Sequence, residues 1–156
     1  MVSFDKVGKC YTREDPNLGK IRSLDPWAVN NGINMSWADE TGAEGIMMVN
    51  KTNCNPYGSV HGGILGALAD TVAGHSLVAR GRVVVTQSST LDYLRPASGK
   101  LVRCVATPKK VGKNICVVTV EQFDENDVLL TTGLMTFSVV RTCEPYVLKR
   151  KESAAN

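Results

Sequence analysis

The chain has 156 residues, 43% of them hydrophobic and 21% charged, and its 18 basic and 15 acidic side chains leave a net charge of +3. That length predicts one domain burying roughly 70% of its unfolded surface, and the composition excludes a disordered chain. The charge is too mild, and the basic runs too short, to point to nucleic acid.

The first two dozen residues mix charge, Gly and Pro without a period and read as an irregular extension over residues 1–24. Met1 to Lys9 holds no apolar stretch of a secretory leader, so none is expected. Asp25-Pro26 then opens a short helix, with Asp as N-cap and Pro in the first helical position. Asn30-Asn31-Gly32 ends it. Ile33, Met35 and Trp37 alternate with polar neighbours as in a half-buried strand, and Thr41-Gly42 turns the chain into a second strand over Gly45–Val49. Lys51 to Ser59 is a polar loop.

A long helix is expected over Gly62–Ala79. Small or aliphatic residues occupy every side of it, which predicts a helix surrounded by protein. Its Gly63, Gly66 and Gly74 lower helix propensity, so close packing against a sheet is expected to offset them. The run is nearly uncharged, yet Asp70, His75 and the glycines argue for a buried helix and against a membrane span.

Everything after Arg80-Gly81 reads as strand: Val83–Leu94, Leu101–Thr107, Ile115–Phe123 and Val128–Val140. The short turns between them predict antiparallel neighbours. The expected fold is therefore α+β, a curled antiparallel sheet wrapped around one long buried helix over residues 25–141, followed by a tail over 142–156 with a solvated Lys149-Arg150-Lys151.

Five widely spaced cysteines without a Cys-x-x-Cys pair fit neither a disulfide framework nor a zinc ribbon, and a reducing cytoplasm is the expected compartment. Two histidines without metal-ligand spacing predict no metal site. Phosphate-loop, dinucleotide and Gly-x-Ser-x-Gly signatures are absent from the sequence. Cys54 reads as a structural or incidental thiol.

Two features could carry chemistry. Asp70 is the one formal charge in the helix, and a carboxylate there must be paired, neutralised or turned to a cavity. It can be a structural group bonded to hydroxyls or a general base or nucleophile. His61-Gly62-Gly63 marks the start of the same helix, where free N–H groups and the dipole favour a developing oxyanion, and glycine lets a substrate oxygen approach. Tight packing of Gly-Gly is the alternative there, and local hydrogen bonding is the alternative for His61.

The ordered set Asn55-Pro56-Tyr57-Gly58-Ser59-Val60-His61-Gly62-Gly63, Asp70, Val85-Thr86 and Asp92-Tyr93-Leu94-Arg95-Pro96-Ala97 resembles the hotdog-fold acyl-coenzyme A thioesterases of the phenylacetate-pathway type. The resemblance runs from about Asp25 to Val140. It implies a hotdog fold, with Asp70 as general base or nucleophile and Gly62 as the residue whose N–H polarises the thioester carbonyl. It further implies that Asn55 positions the attacking water, that His61 supports its loop, and that Thr86 supplies a hydroxyl near the carboxylate. Gly63, Thr86, Arg95 and Lys113 are the expected substrate contacts, the last two for coenzyme A phosphates. No cofactor beyond the coenzyme A of the substrate is implied, and neither nucleic acid nor membrane is an expected partner. The implied assembly is a homodimer, often paired into a tetramer. A non-catalytic acyl-coenzyme A-binding protein and a 3-hydroxyacyl thioester dehydratase are the alternatives on the same fold.

Overall fold

The computed structural model describes residues 26–145, so the expected extension over 1–24, the Asp25 cap and most of the expected tail lie outside the described residues. The elements are α1 (Pro26–Asn30), β1 (Ile33–Asp39), β2 (Gly42–Met48), α2 (Gly62–Val78), β3 (Arg82–Tyr93), β4 (Leu101–Val111), β5 (Ile115–Phe123) and β6 (Leu129–Thr142). All strand pairs are antiparallel, in the order β1-β2-β4-β5-β6-β3. Alternate residues of the central strands are buried, among them Val102, Cys104 and Ala106 on β4 and Cys116, Val118 and Val120 on β5. This is the period of a sheet with one face on a core. Helix α2 fills that core with Leu65, Leu68, Ala69, Val72, Ala73 and Leu77.

Four details depart from the expectations, each for a physical reason. Strand β4 runs on to Val111, through Pro108. Its pairing with β2 ends at Ala106, so Pro108 has a neighbour on one side only, beside a register shift, where its missing N–H leaves no ladder bond unmade. Lys109 and Lys110 accordingly lie on a strand, and the turn is Gly112-Lys113-Asn114. Strand β3 pairs with β6 and not with β4. The link between β3 and β4 instead passes the loop that leads into α2, where the Val60 N–H donates to the Ala97 carbonyl at 2.9 Å.

Helix α2 is buried on one side only. Its other side, with Gly62, Gly66, Asp70, Gly74 and Val78, is half-buried. Nor are its glycines pressed on the sheet: a Cβ at Gly74 would meet nothing within 4 Å, and one at Gly66 only the Tyr93 hydroxyl at 3.9 Å. The close approach falls on the opposite partner. A Cβ at Gly45 of β2 would sit 2.6 Å from Val72 Cγ2, so the sheet, and not the helix, gives up the side chain there.

One buried polar bridge ties α2 to the sheet. Gln122 faces inward on β5, where its amide donates to the Leu65 carbonyl at 2.7 Å and accepts from the Thr131 hydroxyl at 2.8 Å. Replacing it with Leu strands the Thr131 hydroxyl in the core. Urea unfolding of Gln122→Leu should therefore show a loss of about 1–3 kcal/mol, the usual cost of an orphaned buried group.

Candidate active site

The loop before α2 is built around Asn55. Asn55-Pro56-Tyr57-Gly58 is a turn closed by the Gly58 N–H on the Asn55 carbonyl at 3.0 Å, with Pro in its second position and Gly58 at φ 85°. The Asn55 side chain organises the same loop. Its Oδ1 accepts from the N–H groups of Tyr57 at 2.9 Å and Ser59 at 3.3 Å, and its Nδ2 donates to Ser59 Oγ at 2.9 Å. Its carbonyl-type oxygen is thus engaged within the loop, and one amide hydrogen is left for anything else.

His61 is the N-cap of α2, with extended backbone angles of φ −61° and ψ 131°. Its Nδ1 accepts from the Gly63 N–H at 3.0 Å, which places the ring proton on Nε2. The Ile64 N–H, at 2.9 Å, and the Leu65 N–H, at 3.2 Å, both donate to the His61 carbonyl. Of the first-turn N–H groups, Gly62 alone has no acceptor among the described residues. Gly63, expected as a substrate contact, has its N–H committed to His61. The helix start thus presents one free donor at the positive end of the dipole.

Tyr93, at the end of β3, covers this donor's residue. Its hydroxyl donates to the Gly62 carbonyl at 3.0 Å, and its ring lies 3.4 Å from where a Gly62 Cβ would be. Gly62, Asn55, Tyr93, Arg95 and Ala97 line a cavity of about 340 Å³. Arg95 is placed here, but its guanidinium donates to the Leu129 carbonyl at 2.8 Å. Lys113 lies elsewhere. The neighbouring Gly112 carbonyl accepts from Arg82 Nε, at the opposite end of β3. Eleven strand steps from Arg82 to Tyr93 span about 36 Å, so one chain cannot bring Arg95 and Lys113 to the same diphosphate.

Asp70 sits two turns along α2 from Gly62. Thr86 Oγ1 donates to its Oδ1 at 2.6 Å, and its second oxygen has no hydrogen-bond partner among the described residues. The register of β3 shifts between Thr86 and Ser88, a bulge of the sort that re-aims a side chain next to a site. Asp70 opens on a second cavity of about 410 Å³, walled by Gly74, His75 and Val78 from the helix and by Val83, Val84 and Phe137 from the sheet. Among the described residues no cluster of His, Cys, Asp and Glu could hold a metal ion. The Cys104 thiol is pushed up to about 12, by burial first of all, and is no nucleophile at neutral pH.

Two residues that matter were not singled out by the sequence. Tyr93 lay inside the motif without an assigned role. Gln122 had a visible signal: it is the polar member of an inward-facing series, Cys116, Val118, Val120, Gln122. No described helix is long and apolar enough to cross a membrane.

Residues 57–131 match the family model described as the thioesterase superfamily. A protein of Haemophilus influenzae, provisionally named an esterase, is 33% identical over 136 residues, covering 85% of this chain and 96% of its own length. The Escherichia coli protein named acyl-coenzyme A thioesterase PaaI is 33% identical over 91 residues, covering 58% of this chain and 65% of its own. The crystal structure of a Haemophilus influenzae thioesterase superposes with a TM-score of 0.76 at 29% identity, over 86% of this chain and 94% of that one. The shared sequence over most of both chains, the curled six-stranded sheet and the helix at its centre place this chain in the thioesterase superfamily, among the hotdog-fold thioester hydrolases.

Proposed function

We propose that the protein hydrolyses the thioester of a small acyl- or aryl-acyl-coenzyme A to the free acid and coenzyme A, at a site completed by a second copy of the chain. The observation that carries this reading is Asp70, a carboxylate held through one oxygen by Thr86, with no partner on the other among the described residues, in the lining of a largely apolar cavity. In this reading the cavity takes the acyl group. The carboxylate attacks the thioester carbon or deprotonates the water that does, and the Gly62 N–H receives the charge that develops on the carbonyl oxygen. The name of the Escherichia coli relative supports coenzyme A as the thiol. A dehydratase base at the helix start is disfavoured, because the Nδ1 of His61 is spent on Gly63.

A second chain enters through distance. Gly62 and Asp70 are eight residues apart on one helix, about 12 Å along its axis, too far to serve one carbonyl. Strand β3 is an edge of the sheet and exposed from Val85 to Thr90. Antiparallel pairing of two such edges about a twofold axis near Ser89 and Thr90 would set Thr86 opposite the partner's Tyr93, and so Asp70 near the partner's Gly62. The same pairing carries Arg95 toward the partner's Lys113, which removes the conflict of distance within one chain.

Thiol release from a panel of acyl-coenzyme A esters tests the activity, and release from none of them overturns it. Refolding Asp70→Asn together with Gly62→Pro tests the shared site. Half of the dimers formed at random are mixed, and each holds one intact site. Activity should return to about a quarter of wild type, and mixed dimers without activity would sink the arrangement. Lys113→Ala or Arg95→Ala should raise KM about three- to tenfold at low salt with kcat little changed, as when uniform binding is lost. A KM insensitive both to salt and to these substitutions would assign the phosphates to other groups.

A further inference from the structure

Gly74 has no reason to be glycine that lies in the fold of its own chain. It stands inside α2, where glycine is a poor helix former, and it is not among the residues with positive φ. A Cβ added there would meet nothing within 4 Å, unlike Gly45, whose missing side chain makes room for Val72. What the bare position does adjoin is the 410 Å³ cavity. Gly74 lies one helical turn beyond Asp70 on the same face, and both line that cavity opposite Val83, Val84 and Phe137. Gly66 is nearly as free of contacts but does not line this cavity, so Gly74 is the helix glycine whose side chain would stand in it, one turn past the carboxylate.

We propose that Gly74 is a specificity-determining residue, whose missing side chain leaves the cavity wide enough for a bulky apolar acyl group, aryl or branched, attached to the carbonyl that Asp70 serves. This rests on the reading of that cavity as the acyl site. A side chain at position 74 narrows the channel between α2 and β3 beside the acyl carbons nearest the thioester. It should therefore discriminate by acyl width, and it should do so while making the helix more stable. Those two effects have opposite sign, which separates the proposal from simple damage to the fold.

The experiment compares wild type, Gly74→Ala and Gly74→Leu as full chains. It measures kcat/KM for phenylacetyl- and acetyl-coenzyme A, thermal midpoint, and molecular mass by light scattering. The expected result is a midpoint raised by about 2–4 °C in Gly74→Ala with the mass unchanged. The ratio of phenylacetyl to acetyl kcat/KM should fall in the order wild type, Ala, Leu, by about tenfold or more for Leu. An unchanged ratio in an active Gly74→Leu protein overturns the proposal by itself. Should Leu fail to fold, the Ala variant decides in the same way. A lowered midpoint and lost assembly in Gly74→Ala would assign the glycine to subunit packing and also overturn it. A wild-type protein that releases thiol from neither ester overturns the thioesterase reading, and this proposal with it.

Discussion

Asp70→Asn should leave a folded, fully assembled protein whose turnover is lower by roughly 10²-fold or more, the scale of losing a positioned base. The substitution keeps the shape of the side chain. Its amide oxygen can still accept from Thr86 Oγ1, which holds the carboxylate at 2.6 Å, so the one anchor of the residue survives. The other oxygen is the one that changes. It has no hydrogen-bond partner among the described residues, and as an amide nitrogen it can neither attack a thioester nor accept a proton from water. Half-burial and a single hydrogen bond also mean that little folding energy resides in the charge, so the thermal midpoint should move little. The measurement is kcat on the best acyl-coenzyme A substrate together with thermal unfolding and mass. Turnover near wild type with the fold intact would remove Asp70 from the chemistry. A collapse of stability would return it to the structural reading that the lone charge also allowed.

Where local chemistry dictated the outcome, the sequence was readable. Strand β5 has the predicted bounds because both flanks are strong punctuation: Gly112-Lys113-Asn114 before it, and after it Asp124, whose Oδ1 caps the N–H groups of Asn126 and Val128. His61, Gly62 and Asp70 stood out for the same reason, since a helix start with free N–H groups and a lone charge in an apolar helix are local signals. Thr86 was named only through the family resemblance, and its bond to Asp70 joins residues 16 apart in the chain. What escaped was long-range. Turn length carries no record that a sheet rolled around α2 seats β3 beside β6. Helix composition could not tell a face covered by the sheet from a face bordering cavities, because Ala and Gly serve both. The competition for each polar group was hidden too. Asn55 binds Ser59 and Arg95 binds Leu129 within this chain, partners that spacing does not reveal.

Gly62→Pro should lower kcat by about 10²–10³-fold while leaving the protein as stable as wild type or slightly more so. Proline removes one backbone N–H and nothing else of chemical use, and this position is built to accept it. Gly62 is the first residue of α2, the helical position where proline is favoured because its N–H has no intrahelical partner. The preceding residue must be extended, and His61 is already so at ψ 131°. A new Cβ would lie 3.4 Å from the Tyr93 ring, an ordinary contact. No hydrogen bond of the fold is lost, because the Gly62 N–H has no acceptor among the described residues. What is lost is the donor that the proposed mechanism assigns to the developing oxyanion, with a ring carbon put in its place. Gly62→Ala separates the two effects, since it adds the same Cβ contact and keeps the N–H. It should retain far more turnover than the proline variant. Equal losses in both would mean that space, and not the hydrogen bond, is what position 62 supplies. A proline variant within a few-fold of wild type would move the carbonyl-polarising group elsewhere. With a proline variant that folds, binds substrate and fails to turn it over, the 12 Å between Gly62 and Asp70 becomes the decisive geometry. Its defect and that of Asp70→Asn then lie on different halves of a divided site, and each can be supplied by a partner that lacks the other.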